Sequence, residues 1–268
     1  KQEVNKMNKR GQITIFAIIG ILIIILILLF IFLRDRVYFG PGSQEDLESQ
    51  FPQIREHIEE CLEETALPRL TQIGLQGGYI ETPEDTFRNY LGNKVSYLCY
   101  NIADQLPCRS RVLTLDQMEE ELSKFIAQDL SFQCLNIQSF NKLGFNLNQG
   151  QLDLTTTISD DNVLLEAILP ITISKGTARA EQSEWSATVN VPLGRLYQAS
   201  RDTVNSRALI GIFDPLPYVI LKTELTGKLY YGQRLPIYPD DLYIYTIKDF
   251  PNQEDTYVFQ FFIEGEPR

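Results

Sequence analysis

"FNLNQGQLDLTTTISDDNVLLEAILPITISK", residues 145–175, is the stretch from which the fold class of this chain is best predicted. Apolar and polar residues alternate along it with a period of two, as in β-strands that bury one face. The tetrapeptide SDDN at 159–162 has the residue types that favour tight turns. The stretch therefore predicts a meander of at least three strands, and SEWSATVNV at 183–191 is a candidate for another strand.

Amphipathic helical spacing precedes this β region. Residues 51–66 place apolar side chains on one helical face, and Pro68 is expected to kink or interrupt the helix. A second helical stretch follows, and Gly77-Gly78 is expected to end it in an exposed loop. The aromatic and β-branched segment KVSYLCYNI, residues 94–102, predicts a strand between the helices.

Another helix is predicted just before the β region, and a further one after it. Thr114 and Gln117 form a capping-box signature ahead of an apolar helical face that extends to Leu130. Residues 192–210 again show helical spacing. Two later stretches have the composition of strands: 242–250 and 256–265.

An uncharged apolar run of 21 residues, from Ile13 to Leu33, precedes all these elements. A helix of that length spans roughly 31 Å, about the thickness of the hydrocarbon core of a bilayer. Arg34 and Arg36 follow it without a small-residue cleavage pattern, which favours a retained membrane helix over a secretory signal peptide. Basic residues before the run and acidic residues after it place the N-terminus in the cytoplasm and the C-terminal part outside.

The sequence therefore predicts an α+β protein with a single N-terminal transmembrane helix and an exterior domain. That domain has a helical, disulfide-bearing half and a mostly antiparallel β half. The boundaries are a cytoplasmic basic segment at 1–12, the transmembrane helix at 13–33, a linker at 34–50, a helical disulfide-braced region at 51–140 and a mostly β region at 141–268.

The charge distribution argues against nucleic acid as a partner. Residues 1–36 have six basic and two acidic side chains, so the total charge of −11 leaves −15 on residues 37–268. Nucleic-acid binding requires a basic surface, which an exterior domain this acidic does not provide.

Four cysteines follow the apolar run: Cys61, Cys99, Cys108 and Cys134. An even number of cysteines outside a membrane indicates two disulfides, although four reduced buried thiols are the alternative. No CxxC spacing is present, which disfavours zinc. Of the three possible connectivities we favour Cys61–Cys134, which would join two helices, and Cys99–Cys108, which would close a short loop.

The segment KRGQITIF before the apolar run resembles the class III signal of archaeal type IV pilin-like proteins. Lys9, Arg10, Gly11 and Gln12 match that signal, and the resemblance implies cleavage between Gly11 and Gln12 with the apolar helix retained. The match departs from the pilin pattern at Phe16, where pilins have a glutamate that neutralises the terminal ammonium of a neighbouring subunit. This departure disfavours fibre formation, because a buried charge without its partner is costly.

A larger group of membrane-anchored surface proteins from small-genome archaea is also similar. The shared patterns are like GLQGGYI at 74–80, CYN at 99–101 and PC at 107–108. That group has no established biochemical activity, so the resemblance implies a location and no reaction.

The sequence contains no recognised catalytic or cofactor motif. His57 is the one histidine of the chain and lies among glutamates, which indicates an exposed helix face rather than a catalytic triad or an HExxH zinc site. Gly77-Gly78 lacks the Lys-Ser/Thr of a phosphate-binding loop. Paired acids serve glycoside hydrolysis and calcium binding, but no DxDxDG calcium loop accompanies them. These pairs are Glu59-Glu60, Glu63-Glu64, Glu84-Asp85, Glu119–Glu121, Asp160-Asp161 and Asp240-Asp241.

Tyrosine is dense between residues 228 and 245, which fits either ordinary strand faces or a binding surface. The sequence as a whole favours a non-enzymatic, membrane-anchored extracellular protein for surface interaction, adhesion or envelope structure. The first alternative is a pilin-like fibre subunit, and the second is an anchored exterior hydrolase. The expected partners are the lipid bilayer, through 13–33, and other surface proteins or identical subunits; no catalytic residue, metal or cofactor is predicted.

Overall fold

The computed structural model describes residues 20–29, 51–102, 105–133, 146–248 and 256–265. These residues form an α+β fold with two mostly antiparallel sheets, as the sequence predicted. The helices of the domain are α1 (Phe51–Leu75), α2 (Leu115–Gln133), α3 (Leu193–Ile210) and α4 (Pro215–Thr226).

The first sheet combines strands from both sides of residue 140. Its order is β1-β2-β10-β9-β8, and β3 pairs with the second half of β2. β10 lies parallel to β2, and the other neighbours are antiparallel. The strands are β1 (Phe87–Tyr90), β2 (Asn93–Ile102), β3 (Gln105–Ser110), β8 (Leu229–Ile237), β9 (Asp240–Lys248) and β10 (Val258–Ile263).

The second sheet is the predicted meander. β6 (Val163–Lys175) is central, with β7 (Ala178–Val189) on one side. On its other side lie β5 (Asp153–Ile158) and β4 (Asn146–Gln149), one after the other. The SDDN segment forms the turn between β5 and β6, as expected from its residue types.

α2 covers an edge of the second sheet. The hydroxyl of Ser123 accepts a hydrogen bond from the backbone N–H of Thr156 at 2.9 Å, and the carboxylate of Glu119 accepts one from Ile158 at 2.7 Å. An uncovered edge strand would leave these donors available to another chain. Glu119 therefore has a structural role here, as the cap of an edge strand.

The helix boundaries follow local chemistry. The capping box at the start of α2 is confirmed, because the N–H of Thr114 donates to Gln117 at 3.0 Å and the N–H of Gln117 donates back to the Thr114 hydroxyl at 3.3 Å. The expected interruption at Pro68 is not observed, and α1 continues through it to Leu75. A proline removes only one hydrogen bond of the helix, and buried residues on both sides of it, including Leu70, keep α1 on the core.

One main core joins both sheets to α1, α2 and α3, and it includes Leu70, Ile126, Leu165 and Phe261. A smaller cluster of Val95, Leu242 and Phe262 lies apart from it in the first sheet. The guanidinium of Arg69 in α1 donates to both carboxylate oxygens of Asp129 in α2, at 2.6 and 2.9 Å, and so holds the two helices together.

The predicted membrane segment is described in part. Residues 20–29 are helical, and the large apolar side chains from Ile21 to Leu29 are each more than half exposed. No helix within the described ranges has both the length and the hydropathy required to cross a membrane. The remainder of 13–33, the linker at 34–50 and the processing residues Gly11 and Gln12 lie outside the described residues.

Candidate interaction surface

The disulfide candidates lie in the first half of the domain. Cys99 in β2 and Cys108 in β3 are joined by an S–S bond of 2.00 Å, which is the predicted short-loop pairing. Both residues are buried, so the bond links two adjacent strands inside the core. Cys61 is buried on α1 and is also disulfide-bonded, whereas its predicted partner Cys134 lies outside the described residues.

The acidic face of α1 is exposed, as the sequence indicated. His57 lies on this face and is exposed to solvent. A cavity of about 620 Å³ separates the glutamates of α1 from the end of β7. This arrangement fits a solvated helix face. The glutamates that line the cavity are Glu56, Glu59, Glu60 and Glu63.

A second cavity, of about 780 Å³, lies beside it on the outer face of the second sheet. Arg55, Glu166, Ile168 and Glu184 are among the residues that line it. Glu184 lies opposite Ile168 in the strand register, so the two glutamates share one face of adjacent strands. Both carboxylates are solvent-exposed, whereas an effective general acid is usually tuned by burial.

Asp160 and Asp161 are paired with cations from other elements. Arg195 of α3 donates to both carboxylate oxygens of Asp161 at 2.8 Å, and the ammonium of Lys228 lies 2.9 Å from the same carboxylate. These hydrogen bonds, chiefly that from Arg195, lower the pKa of Asp161 to about 2. The SDDN turn is thereby fixed to the start of α3, which is a structural role.

Asp240 and Asp241 are buried, contrary to the exposed appearance of acidic pairs in a sequence. Asp240 accepts hydrogen bonds from Arg88 and from the Tyr97 hydroxyl, both at 2.7 Å. Asp241 forms ion pairs with Arg234 at 2.8 Å and with Arg207 at 3.8 Å. Because arginines already neutralise both carboxylates, neither is available for calcium or for acid–base catalysis.

Most of the dense tyrosines belong to the core. Tyr230, Tyr243 and Tyr245 are buried, and the Tyr245 hydroxyl hydrogen-bonds with Thr203 at 2.7 Å. Burial raises the pKa of Tyr245 above its usual value. Strand packing therefore accounts for these tyrosines, and the two exposed ones do not form a patch by themselves.

The exposed apolar residues of the domain concentrate at the end of α3 and along α4. From residue 51 onward, twelve large apolar side chains of the described part are at least 43% exposed, and seven of them lie between residues 209 and 225. Exposed apolar residues scattered singly are normal on proteins, whereas a cluster marks a site of interaction. We call the seven the aliphatic surface: Leu209, Ile210, Ile212, Leu216, Ile220, Leu221 and Leu225.

A shallow cavity of about 440 Å³ borders the aliphatic surface, between α4 and β8. Leu216, Ile220, Leu229 and Tyr231 are among its lining residues. α4 buries only Pro215 and Val219, so most of its apolar side chains face away from the core.

No protein-family model, curated protein or solved structure matches this chain.

α4, and with it the aliphatic surface, was not predicted from the sequence. Signals for this helix were present: Asp214 is an N-cap, proline occupies the first helical position, and Gly227 ends the helix in a left-handed conformation. Apolar residues surround the helix instead of forming one stripe, so the amphipathic pattern that reveals most helices is absent.

Proposed function

We propose that this chain is a membrane-anchored extracellular protein that acts by surface interaction and not by catalysis. The observation that supports the anchor most directly is the helix at 20–29, whose apolar side chains are exposed over every turn. Such a helix is stable only when apolar surroundings cover it. It lies within the uncharged run from Ile13 to Leu33, which is long enough to cross a bilayer.

Two features of the domain support an exterior location. The Cys99–Cys108 disulfide and the disulfide-bonded Cys61 are typical of oxidising compartments. The aliphatic surface supports interaction as the activity, because it exposes a cluster of side chains that a free monomer would normally bury.

The anchor is tested by fractionation of cells that express the full chain. The protein should resist extraction from membranes by alkaline carbonate, and protease added outside intact cells should remove the C-terminal domain. The double variant Ile24→Lys/Ile27→Lys should be released, since each lysine at the centre of a span costs about 3 kcal/mol. Ile24→Val/Ile27→Val is the matched control and should stay in the membrane. Release of the wild-type chain by carbonate would contradict the proposal.

The pilin-like alternative depends on the KRGQ segment. It requires cleavage between Gly11 and Gln12, so mass spectrometry of the native N-terminus tests it. A mature chain that begins at Gln12, together with filaments visible by electron microscopy, would favour a fibre subunit. Phe16 argues against such a fibre, because no carboxylate is available there to neutralise the new terminus.

For the hydrolase alternative we take the cavity lined by Glu166 and Glu184, because it brings carboxylates from two adjacent strands onto one face. Loss of a hydrolytic activity in Glu166→Gln and in Glu184→Gln, but not in the neighbouring Glu181→Gln, would support it. The exposure of both carboxylates makes this the weaker proposal.

A further inference from the structure

We infer that the aliphatic surface is a second membrane contact, through which the exterior domain lies on the bilayer that anchors it. This inference deepens the proposed function and rests on the proposed anchor. The contact centres on the tip of the α3–α4 hairpin, from Leu209 to Leu216. Leu209, Ile210 and Ile212 are 80%, 68% and 70% exposed, the highest values on the aliphatic surface apart from Leu225 at 72%.

Several backbone groups of the hairpin tip have internal hydrogen-bond partners. The carbonyl of Ile212 accepts a hydrogen bond from the Ser206 hydroxyl at 3.0 Å, and that of Phe213 accepts one from the Tyr243 hydroxyl at 3.3 Å. The N–H of Gly211 donates to the Arg207 carbonyl. Backbone groups that enter a lipid layer must have such partners, because no water is available there. These three groups therefore meet that requirement of lipid contact.

The composition of the surface fits lipid better than a protein partner. Its seven side chains are all leucine or isoleucine, whereas the energetic centres of protein interfaces are enriched in tryptophan, tyrosine and arginine. Amphipathic groups lie beside it, as in helices that lie at a membrane surface: Lys222 is 5.3 Å from the ring centre of Tyr218, and Tyr231 is partly exposed.

The segment that bears the aliphatic surface is less acidic than the exterior part as a whole. Residues 205–232 have three basic and two acidic side chains, a net charge of +1, within an exterior part that has −15. This net charge does not repel an anionic membrane surface, and the three basic side chains, Arg207, Lys222 and Lys228, each pair with an aspartate outside the segment. The two acidic side chains of the segment are Asp214, which caps α4 within the tip, and Glu224, near the C-terminal end of α4.

The predicted linker keeps the surface within reach of the bilayer. Residues 34–50 are 17 residues, which span at most about 60 Å when fully extended. α3, the longer of the two helices that carry the aliphatic surface, has 18 residues and is about 27 Å long. The fully extended linker is therefore longer than either helix. A tether of this length makes docking an intramolecular event at high effective concentration, so that a modest apolar contact is sufficient.

The test uses tryptophan as a depth probe in the full chain, reconstituted into phosphatidylcholine vesicles that contain brominated lipid. The native Trp185 is 2% exposed and provides a constant background. Ile212→Trp should be quenched by the bromine atoms. Leu91→Trp is the matched control and should not be quenched, since Leu91 is 83% exposed on the turn after β1, at the opposite edge of the first sheet from β8 and α4.

A second variant removes the contact and leaves the probe in place. In the Ile212→Trp chain, Leu209→Ser and Ile210→Ser should each lower the ratio of docked to undocked domain about tenfold, the effect expected for loss of one apolar side chain from the lipid layer. Ile168→Ser replaces an exposed isoleucine elsewhere and should leave the quenching unchanged.

The outcomes separate this inference from the proposed anchor. If carbonate releases the chain from the vesicles, the anchor fails and the docking fails with it. If the chain remains anchored and Ile212→Trp is not quenched, only the docking is overturned. If the same tryptophan is shielded from aqueous acrylamide but not quenched by lipid, and the protein has the mass of a dimer, the surface binds a second copy and the inference is wrong.

Discussion

Replacement of Asp240 by asparagine should destabilise the domain strongly, because this carboxylate connects four strands of the first sheet. It accepts hydrogen bonds from Arg88 in β1, from Tyr97 in β2 and from the backbone N–H of Gly265 just after β10. Asp240 itself begins β9 and is 5% exposed. Asparagine preserves the shape of the side chain and removes its charge.

The expected loss of stability follows from the burial of the ion pair between Asp240 and Arg88. Removal of one partner of a buried ion pair costs about 3–5 kcal/mol, because the other charge is left without compensation. Arg88 is 32% exposed in its side chain, so water recovers part of that loss. We therefore expect the free energy of unfolding of Asp240→Asn to fall by about 3 kcal/mol. For a domain of this size the midpoint of thermal unfolding should fall by about 6–12 °C.

The assay is urea and thermal unfolding of the full chain in mild detergent at pH 7, followed by the fluorescence of the buried Trp185. Asp153→Asn makes the same chemical change at an exposed position and should alter stability by less than about 0.5 kcal/mol. If Asp240→Asn lost less than about 1 kcal/mol, the buried carboxylate would not hold the sheet together as described.

Three further predictions concern the same unfolding measurements. The Arg195 guanidinium holds the pKa of Asp161 at about 2, so this pair stabilises the fold above pH 4 and its contribution disappears between about pH 4 and 2. Because the side chain is 39% exposed, Asp161→Asn should lower the free energy of unfolding by only about 1 kcal/mol at pH 6. The variant should also lose less stability than the wild type as the pH falls from about 4 to 2. Cys99→Ala/Cys108→Ala should cost about 2.5 kcal/mol relative to the oxidised chain, from the entropy of the closed loop; equal stabilities would contradict this. Gly194→Ala should cost about 2 kcal/mol, since the new Cβ would lie 2.5 Å from a backbone oxygen of the β5–β6 turn; unchanged stability would show that this turn yields readily.

Local chemistry made much of the fold predictable. The alternation in residues 145–175 and the capping box at Thr114 each depend on residues close together in sequence, and both predictions hold. The parallel pairing of β10 with β2 was not predictable in the same way, because it joins Ile263 to Cys99 across 164 positions of the chain. No local pattern encodes which distant strand becomes a neighbour.

The candidate site was less predictable for a different physical reason. Aspartates at 240 and 241 look like a solvated pair in the sequence, and only the fold shows that Arg88, Arg207 and Arg234 surround them. The aliphatic surface is the reverse case, because its apolar side chains are exposed in the structure. Its leucines and isoleucines resemble core residues in the sequence, and they were recognisable as a surface only once the position of α4 was known.

The place of β10 in the first sheet has a consequence for how the protein is made. β10 lies between β2 and β9, so the β1–β2–β3 and β8–β9 units share a sheet only through it. Residues 258–263 are synthesised about 160 residues after β2, and until they are in place the two units have no common sheet. Buried aromatic residues such as Tyr243 then wait for Phe261, their stacking partner in β10. The domain is therefore vulnerable to aggregation and proteolysis during synthesis for longer than its size alone would suggest, and this predicts that chaperones raise its folding yield.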